Sequence, residues 1–350
     1  LFMCDTCTIS HISPADTRRL AEIDALLLQE GIQRDKNLDV ICAVFNEQNR
    51  IIATGSCFFN TLRCFAVSKE YKGEGLLAKL LSHLIELQFQ RGHTHLFLYT
   101  KPETAPLFAS LGFSEIARVP DTIVFMENRH SGFSDYLKKL KETKAGGKQS
   151  AIVMNANPFT LGHQYLIETA ASQCDTLHLF LISEDVSLVP FSIRKRLVKE
   201  GCAHLSNVVL HGSGPYIISN ATFPSYFLKE ETAVIRGHAL LDLAVFEKIA
   251  SALQITERYV GEEPFSLVTG LYNEIMANEL PKAGIACHII PRRKTDGRTI
   301  SASAVRSCLK NGDFALLRTL VPNSVYRYFT SPEAEPVLWK IQHAESVIHY

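Results

Sequence analysis

Residues Asn155–His163 read Asn-Ala-Asn-Pro-Phe-Thr-Leu-Gly-His, and the fold prediction for the second half of the chain starts from them. The apolar run Ala151–Met154 before this stretch is typical of a buried strand, and Gln164–Ala171 after it is typical of a helix. A tight Pro/Gly turn between a strand and a helix predicts a phosphate site. The helix N-terminus supplies free N–H groups and partial positive charge, and Gly162 lets a ligand approach the backbone.

Strand and helix patterns alternate through the region that follows. This alternation predicts a parallel sheet covered by helices on both faces. Ligands of such sheets lie at the carboxyl ends of the strands, where the strand order reverses, and the opening stretch is expected at that position. The predicted strands are Thr176–Ile182, Asn207–His211, Thr232–Arg236, Arg258–Val260 and Ala286–Ile290, and the predicted helices are Phe191–Ala203, Leu240–Leu253 and Pro264–Ala277.

A second polar cluster, Ile300–Arg306, reads Ile-Ser-Ala-Ser-Ala-Val-Arg ahead of a further helical segment. Ser301 or Ser303 can cap that helix, and Arg306 is expected to face outward from its first turns. Capping of the helix is by itself a sufficient reason for the two serines. An arginine beside two hydroxyls also forms a second phosphate cradle, and two cradles in one α/β domain are more specific than either alone.

The first third of the chain has a different order of elements. The loop Gly73-Glu74-Gly75 lies between a strand and an apolar helix, where small residues let backbone N–H groups wrap a pyrophosphate. The predicted elements are a helix at Asp16–Gln29, a hairpin of Asp39–Phe45 and Arg50–Phe59, a strand at Leu62–Val67, a helix from Leu76, a strand at His95–Thr100, a helix at Glu103–Leu111 and a strand pair ending near Met126.

Val67-x5-Gly73-x-Gly75 resembles the acyl-coenzyme A loop of the GNAT acetyltransferases, and Leu107–Phe113 resembles their closing segment. Two positions depart from that family. Glu70 stands where Arg or Gln is usual, and a carboxylate beside a pyrophosphate is unfavourable. Phe108 stands where a Tyr often acts as general acid, and Phe cannot protonate a thiolate. The resemblance therefore implies a domain that holds a pantetheine-like arm, or one retained for structure only.

Thr160-x-Gly162-His163 and Ser301-x-Ser303-x-x-Arg306 resemble the two signatures of the nucleotidylyltransferase superfamily. With Tyr216–Pro224, Tyr259–Pro264 and the GNAT-like region, nearly the whole chain resembles the citrate lyase ligase family. The resemblance implies an α/β protein: a GNAT-like α+β domain at 1–128, a helical linker at 129–148, a Rossmann-like nucleotidylyltransferase domain with a parallel sheet at 149–330, and a tail at 331–350.

That family acetylates the thiol of a dephospho-coenzyme A-type prosthetic group on the acyl-carrier subunit of citrate lyase, using ATP and acetate. The resemblance implies that His163 and Thr160 bind the α-phosphate, and that Arg306, Ser301 and Ser303 hold the β- and γ-phosphates with Mg²⁺. The other residues implied for the nucleotide are Asn155, Asn157, Pro158, Phe159, Gly162, Arg196 and Gly261, and those implied for the acyl or pantetheine loop are Gly73, Glu74 and Gly75.

The composition excludes several classes of binding partner and indicates the compartment. Lys plus Arg equals Asp plus Glu at 36 each, so bulk charge does not favour nucleic acid or an anionic membrane, and no apolar run is long enough to span a bilayer. Nine scattered cysteines in mostly apolar surroundings fit reduced thiols, so we expect a cytoplasmic protein. Cys4-x-x-Cys7 lacks partners at metal-binding spacing and the 13 histidines are dispersed, so no metal site is expected.

Three other functions stay open from the sequence. One is a different adenylyltransferase, making a coenzyme A or NAD precursor, with a fused sensor domain; it predicts no acetate-dependent ATP–pyrophosphate exchange. A second is an acetyltransferase that uses acyl-coenzyme A, against which Glu70 and Phe108 argue. The third is a non-catalytic module for an acyl-carrier protein, although a scaffold has no need of residues such as His163 and Arg306.

Overall fold

The computed structural model describes residues 8–35, 37–183, 187–217, 231–263, 267–295 and 298–344. The described residues form two compact units, the first from 8–135 and 231–244 and the second from 136–217 and 245–344. Among these residues, no helix combines the length and the apolar character needed to cross a membrane.

The first unit is built on a mixed sheet in the order β1-β2-β3-β4-β5-β7-β6, in which β4 and β5 pair in parallel and the other neighbours are antiparallel. Its elements are β1 Thr8–His11, α1 Thr17–Gln29, β2 Val40–Phe45, β3 Ile51–Phe58, β4 Thr61–Val67, α2 Leu76–Gln90, β5 Phe97–Thr100, α3 Ala105–Ser110, β6 Ser114–Val119 and β7 Ile123–Glu127; helix α4, Gly132–Lys141, follows.

Helix α2 packs on this sheet because its leucines recur at helical spacing. Leu76, Leu80 and Leu84 are buried along one side of the helix, within the same apolar cluster as strands β2 and β3. Gly75 precedes the helix at φ 77°, a left-handed conformation that glycine adopts without steric cost. Because Gly75 has no capping side chain, the first N–H groups of α2 are left available to a ligand.

The second unit is a Rossmann-like layer structure around a parallel sheet in the order β10-β9-β8-β11-β12. The strand order reverses at β8, so residues 155–163, which follow β8, lie at the switch point of the sheet. Helix α7, Glu231–Leu253, belongs to the first unit up to residue 244 and to the second unit from residue 245. The other elements of the second unit are β8 Gln149–Met154, α5 Leu161–Ala171, β9 Thr176–Leu181, α6 Phe191–Gly201, β10 Val208–Gly212, β11 Ile255–Gly261, α8 Leu267–Glu279, β12 Ala286–Ile290, the short pair β13 Lys294–Thr295 and β14 Arg298–Thr299, α9 Ala302–Asn311, α10 Phe314–Leu320, α11 Asn323–Phe329 and α12 Glu335–His343.

One predicted strand is wrong. Thr232–Arg236 lies inside helix α7, although its run of Thr, Val and Ile has strand character. The helix is buried on most of its sides, with Ile235, Ala239 and Phe246 among its buried residues, so packing in the fold outweighs the strand propensity of this run. In the segment after residue 330, α12 buries Val337 and Ile341 in the apolar core of the second unit.

Two buried histidines join neighbouring strands of the parallel sheet. His211 Nε2 lies 2.9 Å from His178 Nδ1, and His178 Nε2 lies 2.9 Å from Gln149 Oε1. The Gln149 amide nitrogen donates to backbone carbonyls, so its oxygen must accept from His178 Nε2–H, and His178 Nδ1 must then accept from His211 Nε2–H. These bonds require a neutral His178 ring, and burial lowers the pKa of both rings to about 4, so both are uncharged near neutral pH.

We expect acid to destabilise the second unit through these rings. In the unfolded chain a histidine has a pKa of about 6.5, so between that value and about 4 the unfolded state binds more protons than the fold. The free energy of unfolding should therefore fall as the pH is lowered from about 7 to about 5, by on the order of 2 kcal/mol for each such ring. Urea unfolding across this range measures the loss, and NMR of the two rings should show no titration near 6.5.

His204→Gln is the matched control, because His204 is exposed and lies outside the chain from Gln149 to His211, so the loss that the two buried rings cause should remain. Stability that does not change over this range, or rings that titrate at their ordinary pKa, would contradict the neutral chain from Gln149 to His211.

Candidate functional site

A cavity of about 510 Å³ lies in the second unit where strands β8, β11 and β12 end and helices α5 and α9 begin. The two phosphate cradles predicted from the sequence meet in it. Its lining includes Asn155, Asn157, Thr160, Gly162, His163, Gly261, Ser301, Ser303 and Arg306.

Thr160 and His163 form a capping box at the start of α5. The Thr160 hydroxyl oxygen accepts from the His163 backbone N–H at 3.2 Å, and the Thr160 backbone N–H donates to His163 Nδ1 at 3.1 Å. Because Nδ1 accepts this bond, the proton of the neutral ring resides on Nε2. The cap thus fixes the tautomer that keeps Nε2–H as a donor.

The same surroundings keep the His163 ring uncharged. Burial, together with the positive charges of Arg292 and Arg306, lowers the pKa of His163 to about 4. Near neutral pH, His163 is consequently a neutral hydrogen-bond donor in a site whose positive charge comes from arginines. This combination suits a group on which negative charge develops.

Arg306 is buried rather than outward-facing, which corrects the expectation from the sequence. Its guanidinium donates to the Asn157 carbonyl and, at 3.0 Å, to Ser303 Oγ. Burial lowers the pKa of Arg306 to about 10, so the group stays protonated at neutral pH. Arg306 therefore links the second signature to the backbone of the first, and it contributes its charge to the cavity that both line.

The serines of the second signature have different roles. Ser301 Oγ accepts from the Ala304 backbone N–H at 3.1 Å and caps α9. Ser303 Oγ instead accepts a hydrogen bond from the Arg306 guanidinium. Both hydroxyls line the cavity and can also turn a proton or lone pair toward a bound phosphate.

Asn157 presents an amide donor to the cavity. Its Oδ1 accepts from the Val189 backbone N–H at 3.0 Å, which fixes the amide orientation. Its Nδ2 is buried without a hydrogen-bond partner among the described residues, while the side chain as a whole is 4% exposed. A buried amide without a partner is costly, so this N–H₂ group is suited to a ligand oxygen.

Gly162 is required where it stands because the chain of the second signature passes close to it. A Cβ at this position would lie 3.2 Å from the Ile300 carbonyl oxygen, closer than ordinary contact. The glycine therefore lets the first turn of α5 approach the strand end that leads into Ser301.

Three residues predicted for the nucleotide lie outside the cavity lining formed by the described residues. Pro158 and Phe159 are buried, and the Phe159 ring packs on Gly201 and stacks behind His163 at 6.0 Å. Arg196 pairs instead with Glu333 at 2.8 Å, with both side chains largely exposed. Phe159 supports the His163 ring by packing, and Arg196 belongs to the surface.

Arg194, two residues before Arg196 on α6, positions the chain around the cavity, and the sequence alone did not indicate it. It is fully buried and donates to the Val189, Ile182 and Asn155 carbonyls at 2.8–2.9 Å, and to Asn155 Oδ1 at 2.9 Å. These bonds hold the end of β8 and the loop after β9. Because α6 is rich in basic residues, the sequence does not distinguish Arg194 from Arg196, and only their positions in the fold do.

Arg194→Ala and Arg196→Ala should therefore differ sharply. Losing Arg194 leaves buried carbonyls without donors, so we expect the free energy of unfolding to fall by at least about 3 kcal/mol and activity to fall with it. Losing Arg196 removes an exposed ion pair and should change stability by less than about 1 kcal/mol and activity by less than about twofold. Urea unfolding and a steady-state assay of both variants measure these effects; equal behaviour would contradict the assignment.

Arg292 also lines the cavity and follows the carboxyl end of β12. The basic run Arg292-Arg293-Lys294, taken by itself, is typical of a solvated loop. Arg292 pairs with Glu263, and its Nε donates to the Glu262 carbonyl at 2.7 Å. Its position directly after a parallel strand was the signal that could have identified it.

A second cavity, of about 550 Å³, lies in the first unit. Gly73 and Gly75 line it together with Lys72 and Lys101, whereas Glu74 is exposed and outside the lining. Glu70 is likewise exposed and is not among the described residues that line the cavity.

Phe108 lines the same cavity from the apolar core. Its ring is 3% exposed and packs edge-on against Phe65, with ring centroids 5.6 Å apart. It offers shape and no proton, as expected for a position that does not act as a general acid.

Two quoted motifs are only partly described. In the motif Tyr216–Pro224, Tyr216 and Ile217 are buried, and residues 218–224 lie outside the described residues. In the motif Tyr259–Pro264, Gly261 lines the cavity of the second unit, and Pro264 lies outside the described residues.

Comparison with known proteins matches both units. Residues 149–329 match the citrate lyase ligase C-terminal domain, and residues 9–113 match the acetyltransferase (GNAT) family, which confirms the predicted fold class. The chain is 39% identical over 326 residues to the citrate (pro-3S)-lyase ligase of Escherichia coli (strain K12), covering 91% of this chain and 92% of that protein. It is 40% identical over 313 residues to the enzyme of that name from Klebsiella pneumoniae, covering 88% and 91%.

Proposed function

The chain belongs to the citrate lyase ligase family, and we propose that it uses ATP and acetate to acetylate the prosthetic-group thiol on the acyl-carrier subunit of citrate lyase. Acetyl-adenylate is the intermediate, and AMP and pyrophosphate are released. The observation that carries this proposal is the convergence of Thr160–His163 and Ser301–Arg306 on one cavity at the switch point of the parallel sheet.

The cavity supports adenylation by position and charge. His163 Nε2–H and the Asn157 amide are donors for the α-phosphate, while Arg306 and the Ser301 and Ser303 hydroxyls serve the β- and γ-phosphates. The adenine lies against the Gly162 backbone. Mg²⁺ takes hard oxygen ligands and enters with the ATP phosphates, and the two serine hydroxyls would offer it such oxygens.

The proposed chemistry needs no protein nucleophile. A carboxylate oxygen of acetate bonds to the α-phosphorus, the bond to the β-phosphate oxygen breaks, and pyrophosphate leaves. The carrier thiol then loses its proton to solvent and attacks the acetyl carbonyl, and AMP leaves with the electrons of the cleaved C–O bond. The residues supply orientation and stabilise the charge that builds on the α-phosphate.

The cavity of the first unit is the proposed site for the pantetheine arm. Gly73 and Gly75 leave backbone N–H groups uncovered ahead of α2. Lys101 lines the cavity beside them, whereas the charge of Lys72 is balanced by its ion pair with Glu30 at 2.9 Å. Phe108 supplies an apolar wall and no acid. These features favour holding a thiol arm over protonating a leaving thiolate.

Exchange of radiolabelled pyrophosphate into ATP tests the proposal directly. We expect exchange that depends on acetate, followed by thioester formation on the intact acyl-carrier subunit when it is added. Exchange without acetate would favour an adenylyltransferase of another substrate. Acetyl transfer from acetyl-coenzyme A without ATP would favour an acyltransferase, and either result would overturn the proposal.

A further inference from the structure

A cluster of three potential metal ligands lies in the first unit, outside both cavities. It consists of His11 at the end of β1, Cys42 on β2 and His83 on α2. One ligand atom of each residue lies within 4.8 Å of those of the other two. Neither cavity lining includes them, so their grouping is unexplained by the proposed function.

The fold brings these residues together over a long sequence distance. His11 and Cys42 are directly paired in the antiparallel register of β1 and β2, and paired residues project from the same face of a sheet. Helix α2 packs over the face that buries Cys42, and His83 lies midway along it. The His11 and His83 rings meet edge-on, with centroids 5.8 Å apart.

The chemistry of the three atoms points to a metal rather than to packing. His83 Nε2 is buried and has no hydrogen-bond partner among the described residues, so the apolar core does not satisfy it. Cys42 is fully buried beside it, while His11 is exposed and offers a path for an ion from solvent. A buried imidazole nitrogen beside a thiol is a donor pair that borderline-soft cations favour.

We propose that His11, Cys42 and His83 bind a zinc-class divalent transition-metal ion, with water in the fourth position. Tetrahedral zinc holds nitrogen at about 2.0–2.1 Å and thiolate sulfur at about 2.3 Å, which places donors roughly 3.4–3.6 Å apart. The three donor atoms, which now lie within 4.8 Å of one another, need to approach each other by about 1 Å to reach that spacing. The ion would connect α2 to the edge of the sheet formed by β1 and β2.

When the ion binds, it replaces the proton of the Cys42 thiol. Burial raises the pKa of Cys42 to about 12, so its thiol carries a proton in the metal-free protein. Formation of the metal–sulfur bond breaks the S–H bond and releases that proton to buffer, with no change of oxidation state. Both imidazoles bind as neutral ligands through a ring nitrogen lone pair.

Titration of the full chain with Co²⁺, a spectroscopic substitute for Zn²⁺, tests the site. We expect about one high-affinity ion per chain, with a thiolate-to-cobalt charge-transfer band and the intense visible bands of tetrahedral geometry. Zn²⁺ should displace the cobalt and raise the thermal midpoint of the protein, and Mg²⁺ should do neither. His11→Gln and His83→Gln should each weaken binding about tenfold or more, and Cys42→Ala should abolish the charge-transfer band.

Three matched variants separate this cluster from other ligands. Cys57→Ala removes another fully buried thiol of the same apolar cluster, and His93→Gln removes a histidine elsewhere in the unit; both should bind cobalt as the parent does. The combined Cys4→Ser, Cys7→Ser variant should also keep the band. No stoichiometric binding, a band that depends on Cys4 and Cys7, or binding unchanged by His11→Gln and His83→Gln would each overturn the site.

Discussion

His163→Ala is expected to lower the kcat of acetate-dependent ATP–pyrophosphate exchange by about 10²–10³-fold while the protein stays folded. The neutral Nε2–H is aimed by the capping bond to Nδ1 and needs no reorganisation as charge builds on the α-phosphate. Removing one preorganised donor of this kind typically costs about 3–4 kcal/mol of transition-state stabilisation. Thermal melting shows whether the fold survives, and steady-state exchange at saturating ATP measures kcat.

His163→Asn separates the capping role from the catalytic one. Asn can accept from the Thr160 backbone N–H and keep the start of α5, but it does not reach the position of Nε2. We therefore expect parental stability with the same large loss of kcat. His204→Ala, an exposed histidine of the same unit, is the activity control and should behave as the parent does. Near-normal exchange in His163→Ala would remove this residue from the mechanism.

The local pattern around residues 155–163 was enough to predict that this stretch lies at the switch point of a parallel sheet. A strand, a turn with glycine and a capped helix are each determined by neighbouring residues, and the alternating elements predicted the parallel sheet. The switch point then follows from the strand order β10-β9-β8-β11-β12. Gly162 and Ser303 could be predicted to lie near a ligand because a glycine at a helix start and a hydroxyl beside an arginine can be seen in the sequence.

Burial and pairing between distant segments could not be predicted in the same way. Arg306 was expected to be exposed because its helix position alone allows that, whereas its bond to the Asn157 carbonyl spans 149 residues. Arg194 and Arg196 are alike in sequence and differ only in which face of α6 they occupy. The grouping of His11, Cys42 and His83 depends on strand register and on helix packing, neither of which composition reveals.

Arg306→Met is expected to lower kcat/KM for ATP by about 10²–10³-fold, the second large effect. Met matches much of the length of the side chain but removes the charge and the donors to Ser303 and to the Asn157 carbonyl. The free energy of unfolding should fall by about 1.5–3 kcal/mol, because a buried carbonyl loses a charged donor. Exchange kinetics over a range of ATP concentrations, beside urea unfolding of the same samples, separates the two losses.

Two further variants decide whether Arg306 acts on the nucleotide or only on the fold. Arg306→Lys keeps a positive charge but loses the fork that serves two acceptors at once, so it should recover most of the stability and little of the activity. Arg318→Met removes an exposed arginine of helix α10 and should leave both measurements unchanged. If ATP kinetics in Arg306→Met and Arg306→Lys stay within about tenfold of the parent below the unfolding transition, the guanidinium serves the fold alone, because a group holding the ATP phosphates contributes more than that to the transition state.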